Sequence, residues 1–135
     1  MADIRPVTDS FSTAPQLLPQ DMPAAAAMGY VLVVNNRPDH ESPDQPTSEE
    51  MEAAARAAGM DYLHVPVVGG PSREQVEAVH AAIAAADGPV LAFCRSGTRS
   101  IVTWSLGQAM AGDRSRGDLV SLGRAAGYDL SGVLG

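Results

Sequence analysis

Three short β-rich runs, Tyr30–Val34, Tyr62–Val65 and Val90–Phe93, alternate with alanine-rich stretches of helical period, and this alternation constrains the fold more than any other feature. Runs of four or five such residues are too short for helices and suit strands buried on both faces. A further short strand is expected near Phe11–Ala14, within a first segment broken by Pro6 and Pro15. Between the runs, Pro19-Gln20-Asp21 opens a short helix ending near Met28, with Gly29 as its stop. Thr47-Ser48-Glu49-Glu50 reads as a capping box, opening a helix with Met51, Ala54, Ala55 and Ala58 on one face and Gly59 as its stop. Ser72 can cap another, with Val76, Val79, Ile83 and Ala86 at helical spacing. One more helix is expected from about Ile101 to Ala111, and a weaker helical tail from Ser115 to Gly127. Alanine is the best helix former, so the clusters at 24–27, 53–58 and 81–86 read as packed helices and not as low-complexity tracts. The pattern predicts a three-layer α/β fold, a mainly parallel central sheet flanked by helices. Ligands of such sheets bind at the carboxyl ends of the strands. That points to Asn35–Asp39, Pro66–Gly70 and Cys94–Arg99.

The 135 residues fit one domain, 1–135, and not two independent cores. Sixteen acidic residues face nine basic ones, all arginine, for a net charge of −7. That balance disfavours nucleic-acid and anionic-membrane partners. The apolar stretches fall far short of the roughly 20 residues that cross a bilayer. The start Met-Ala-Asp-Ile-Arg-Pro shows no secretory pattern, so a cytoplasmic location is expected. Cys94 is the single cysteine, which excludes an intramolecular disulfide and a Cys-rich zinc site. His40, Glu41 and Asp44 lack ligand spacing and read as a solvated acidic loop, so neither a metal nor a cofactor is expected.

The informative segment is Val90-Leu91-Ala92-Phe93-Cys94-Arg95-Ser96-Gly97-Thr98-Arg99-Ser100. A buried strand ends at the cysteine, a glycine-containing loop follows, and a helix begins near Arg99 or Ser100. Such geometry aims backbone N–H groups and the positive end of a helix at one point beside the sulfur. With two arginines close by, the thiolate form should be favoured, and the thiolate is the nucleophile. Cys94 and Arg99 are therefore the candidate catalytic residues. Arg95, Ser96, Gly97, Thr98, Ser100 and Arg37 are the candidate anion- or substrate-binding residues. Ser100 is placed either as a helix cap or as a hydrogen-bond donor to the loop or thiolate.

Phe11-Ser12-Thr13-Ala14-Pro15-Gln16, Val33-Val34-Asn35-Asn36-Arg37-Pro38-Asp39, His64-Val65-Pro66-Val67 and Cys94-Arg95-Ser96-Gly97-Thr98-Arg99-Ser100 occur in this order. In combination they resemble the bacterial phosphatase-like domain of the beta-lactamase-hydrolase-like proteins, over roughly residues 4–111, with 112–135 as a C-terminal helical tail. That domain is also labelled a sulfurtransferase family and can be fused to a persulfide dioxygenase. The resemblance implies a cysteine-phosphatase-like fold with Cys94 as nucleophile and Arg99 as anion-binding arginine. It also implies a small anionic or persulfide substrate, and a persulfide dioxygenase as a functional partner.

The reaction is less constrained. Cysteine phosphatases carry His-Cys, five residues, then Arg; here four residues separate Cys94 from Arg99, and Phe93 stands in place of the histidine. They also need a general acid for the leaving alkoxide. The segment Val68-Gly69-Gly70 offers no carboxylate where dual-specificity phosphatases place it, leaving Asp39, Glu41 or Asp44 as substitutes. The shorter spacing is similar to the active loop of rhodanese-type sulfurtransferases, whose persulfide chemistry needs no such acid. On the residues alone, the favoured reading is a sulfurtransferase carrying sulfane sulfur as a Cys94 persulfide. A phosphatase working through a phosphocysteine is the alternative, and a non-catalytic anion- or persulfide-binding module a further one. Arsenate reduction is weaker, for want of a second cysteine. Of the remaining features, Gln16 reads as a surface residue, Arg37 as an anchor of the acidic loop or a pocket residue, His64 as structural and Trp104 as core.

Overall fold

Four parallel strands carry the sheet: β2 (Phe11–Ala14), β3 (Leu32–Asn35), β4 (Asp61–His64) and β5 (Val90–Phe93). In the computed structural model, which describes residues 2–134, their order with the antiparallel edge strand β1 (Arg5–Pro6) is β1-β2-β5-β3-β4. The side chains of β3 and β5 alternate between two cores. Leu32, Val34, Val90 and Ala92 face one side, Val33, Leu91 and Phe93 the other.

The first side is covered by α3 (Arg73–Ala85), α4 (Thr98–Met110) and α5 (Arg116–Ala125), which contribute Val79, Ile101, Trp104 and Leu119. Trp104 stacks on Phe11 with ring centroids 4.9 Å apart, confirming its core role. The second side is covered by α1 (Met22–Ala27), entered through a 3-10 turn at Pro19–Asp21, and by α2 (Ser48–Ala57). These supply Met22, Ala25, Met51 and Ala55. Because both faces are buried, the central strands need apolar residues at successive positions, which is why they read as unbroken runs.

The expected three-layer architecture is present, as are the capping boxes at Thr47–Glu50 and Ser72–Gln75. Several boundaries differ. The first segment holds two strands; β1 escaped notice because it is two residues long and contains Pro6, which is tolerated at a sheet edge. β3 starts at Leu32, two residues after the expected Tyr30, whose N–H bonds back to the Ala25 carbonyl of α1. α4 begins at Thr98, just ahead of the start expected near Arg99 or Ser100 and of the helical pattern from Ile101, because Gly97 adopts a left-handed conformation (φ 91°) that turns the chain directly into the helix. The tail folds back onto the domain, burying Leu119 and Leu130. Among the described residues, no helix is long and apolar enough to cross a membrane.

Candidate active site

The carboxyl ends of the parallel strands converge on Cys94, the residue after β5. Its backbone N–H donates to the Ala14 carbonyl at the end of β2, and the neighbouring Asn36 N–H donates to the Phe93 carbonyl. The cysteine is buried, and its sulfur accepts the Gly97 N–H at 3.1 Å. Gly97 heads α4, where the Arg99 and Ser100 N–H groups of the first turn have no intrahelical acceptor. The expected strand–cradle–helix arrangement around the sulfur is therefore realised.

Arg99 lies over this cradle, held on two sides. Its Nη1 and Nη2 donate to Oε2 and Oε1 of Glu41, each at 2.8 Å, and Nη1 also donates to the Val67 carbonyl at 2.8 Å. Arg37 donates from Nε to the same Glu41 at 3.0 Å and from Nη1 to Gln16 Oε1 at 3.0 Å. Glu41 thus joins the two candidate arginines. The Arg99 hydrogen bond, reinforced by Arg37, holds its carboxyl down at about 2 although partial burial opposes this. Reciprocally, the Glu41 hydrogen bond raises the Arg99 guanidinium above its ordinary value, with the Cys94 sulfur adding to the effect. His64 donates from Nε2 to the Arg37 carbonyl at 2.8 Å, which fixes the loop entry and gives that histidine its structural role.

Not every expected site residue reaches the centre. Arg95 is exposed, and its backbone carbonyl accepts the Gln16 N–H. The Ser96 and Thr98 side chains are also exposed and bond each other at 2.9 Å. Ser100 neither caps the helix nor meets the sulfur; it is buried and donates to Asn36 Oδ1 at 2.8 Å. Asn36 in turn donates to the Val65 carbonyl at 3.0 Å, so the pair ties α4 to the ends of β3 and β4. Helix entry through Gly97 leaves Ser100 too far into the first turn to act as a cap.

Gln16 is no plain surface residue, because its backbone and side chain brace the Cys94 loop and Arg37. The substitute acids are committed elsewhere. Asp39 accepts the Ser48 N–H at 2.7 Å, Asp44 accepts the Ser42 hydroxyl, and Glu41 is an ionised counterion. Three contributors escaped the sequence reading. Thr13 donates to the Gly97 carbonyl at 2.9 Å, Val67 offers its carbonyl to Arg99, and Tyr128 donates to the Ser96 carbonyl at 2.8 Å. Thr13 and Val67 both lie in motifs that carry the family resemblance, but Val67 acts through its backbone carbonyl, which no side chain signals, and a tyrosine in the tail leaves no signal either.

Residues 3–111 match the family described as Beta-lactamase hydrolase-like protein, phosphatase-like domain. A Beta-lactamase hydrolase-like protein of Agrobacterium fabrum is 38% identical over 125 residues, covering 92% of this chain. The chain spans only 29% of that relative's length. Among solved structures, a candidate phosphatase of Neisseria meningitidis is similar with a TM-score of 0.84 at 30% identity, covering 96% of this chain and 92% of that one. The active form of Tk-PTP shares the fold, with a TM-score of 0.73 at 20% identity over 95% of this chain and 87% of its own.

Proposed function

The chain belongs to the phosphatase-like domain family of the Beta-lactamase hydrolase-like proteins, and on that premise we propose that it is a cysteine-dependent phosphatase-like hydrolase of small phosphomonoesters. The observation that carries this reading is the sulfur of Cys94 accepting the Gly97 N–H at the head of α4, with Arg99 held beside it by Glu41 and the Val67 carbonyl. Both the family and the similar structures support hydrolysis better than the sulfur transfer expected from the Cys94–Arg99 spacing.

In this reaction the Cys94 thiolate attacks phosphorus, a sulfur–phosphorus bond forms and the ester oxygen leaves with its electron pair. Helix-head N–H groups and Arg99 offset the charge on the phosphoryl oxygens. Water then cleaves the phosphocysteine, releasing phosphate and regenerating the thiol. Because Glu41 is ionised and residues 66–71 contain no carboxylate, the leaving oxygen takes its proton from solvent. Phenolic esters, which need little protonation, are accordingly the better substrates.

The test is hydrolysis of p-nitrophenyl phosphate by wild type and Cys94→Ser, with mass spectrometry of acid-quenched enzyme for a phosphocysteine. Turnover lost in Cys94→Ser, together with a phosphorylated Cys94, supports the proposal; turnover that survives the substitution defeats it. Sulfur transfer is kept as a second reading on one observation, the short cradle that places Gly97 N–H directly on the sulfur. A cyanide-labile sulfur on Cys94 after thiosulfate, without phosphoester turnover, selects it. A small anionic substrate fits the phosphomonoester reading, whereas a persulfide substrate and a persulfide dioxygenase as functional partner belong to the second.

A further inference from the structure

We propose that Tyr128, which lies beyond the residues that match the family, is a positioning residue for Cys94: its hydroxyl locks the Ser96–Gly97 peptide in the orientation that aims the Gly97 N–H at the sulfur. The inference rests on reading Cys94 as a thiolate nucleophile and adds the element that holds it so.

A trans peptide points its C=O and N–H in opposite directions, and the described chain contains no cis peptide bond. The Ser96–Gly97 unit uses both ends: its carbonyl accepts the Tyr128 hydroxyl at 2.8 Å and its N–H donates to Cys94 Sγ at 3.1 Å. Rotating this peptide by half a turn breaks both bonds and presents a carbonyl oxygen to the sulfur, which repels a thiolate. Glycine places little steric barrier in the way of such rotation, so the orientation must be held from outside. Thr13 holds the Gly97 carbonyl and Tyr128 holds the Ser96 carbonyl. A donor on the carbonyl also polarises the peptide and strengthens its N–H as a donor.

Tyr128 is itself well placed to act as this latch. Its N–H donates to the Gly123 carbonyl at 2.8 Å, and nearby Leu130 is buried in the core. The Arg5 guanidinium lies 5.3 Å from its ring centroid. Burial pushes the phenol above its usual range, opposed by Arg5, so the hydroxyl remains a donor through neutral pH. The tail that the sequence left without a role therefore completes the loop around the nucleophile.

Cys94 is the only cysteine, so the ultraviolet thiolate absorbance, taken against Cys94→Ser, reports on it alone. At one fixed pH, Tyr128→Phe should lower this absorbance roughly threefold, the fold-change that the net worth of one hydrogen bond implies. Its melting temperature should stay within about 2 °C of wild type, and turnover should fall in kcat with KM retained. Arg116→Ala, which removes a tail contact to the Ser131 carbonyl and touches neither Tyr128 nor Ser96, should keep the thiolate signal. An unchanged signal in Tyr128→Phe overturns the proposal. So does an equal loss in Arg116→Ala, because tail docking in general and not the hydroxyl is then responsible. The absorbance needs no turnover: a chain without phosphatase activity refutes the proposed function while leaving this inference to its own result.

Discussion

Glu41 and Arg99 meet as a two-point ion pair across 58 residues of sequence, with both carboxylate oxygens 2.8 Å from separate guanidinium nitrogens. Fork-to-fork pairs of this kind fix the plane of the guanidinium as well as its position. Glu41 accordingly orients the Arg99 guanidinium, and on the proposed phosphatase reading it is a positioning residue and not the acid for the leaving group.

That distinction is measurable with esters of different leaving groups. Replacing Glu41 by Gln should lower kcat/KM about tenfold or more for aryl and alkyl phosphates alike, since misplacing Arg99 affects every phosphoryl group. A general acid would behave differently, with a severe loss for alkyl esters and almost none for p-nitrophenyl phosphate. Parallel steady-state measurements on the two classes decide between them.

The same pair sets a pH signature of stability. The Glu41 carboxyl is held at about 2 in the fold, below its ordinary 4.5. A depressed carboxyl stabilises the fold above its unfolded value, and that contribution disappears as pH falls through the folded one. Urea unfolding should show wild type more stable than Glu41→Gln near neutral pH, by at most about 2 kcal/mol once partial exposure is discounted. The difference should shrink between about pH 4.5 and pH 2.

Gly97→Ala should be the most disruptive single-methyl change in the loop. The backbone there has φ 91°, and an added Cβ would run into the Tyr128 hydroxyl while lying 3.2 Å from the Ala14 carbonyl carbon. Left-handed strain for a non-glycine residue costs about 1–3 kcal/mol. The variant is expected to lose that much stability in urea and most of its turnover, because the N–H that meets the sulfur is displaced.

Asn36 and Ser100 should behave as one buried unit. Asn36→Ala leaves the Ser100 hydroxyl and the Val65 carbonyl without partners, and an unsatisfied buried polar group costs about 1–3 kcal/mol. Ser100→Ala should cost less, since it removes only the donor to Asn36. The double variant should fall short of the sum of the two, a coupling that denaturant unfolding of all four proteins measures.

The alternation of β-rich runs with capped helices was enough to specify the layered parallel fold and to bring 35–39, 66–70 and 94–99 to one end of the sheet, because strand and helix periodicity are local properties of the chain. The same local logic marked Cys94 and Arg99 as candidates and anticipated the strand, glycine turn and helix around them, because a strand ending in cysteine before a glycine turn is a contiguous signal. The roles of Glu41, Gln16, Ser100 and Tyr128 are of another kind. Each is decided by a partner 21 to 64 residues away, at Arg99, Arg37, Asn36 and Ser96. Nothing in a stretch of sequence records which distant carbonyl or guanidinium a side chain will face. Only packing brings those groups within hydrogen-bond reach, and burial then makes each one matter: it turned an apparent surface glutamine into a brace, a supposed helix cap into a tie between layers, and a supposed acid into the counterion of Arg99.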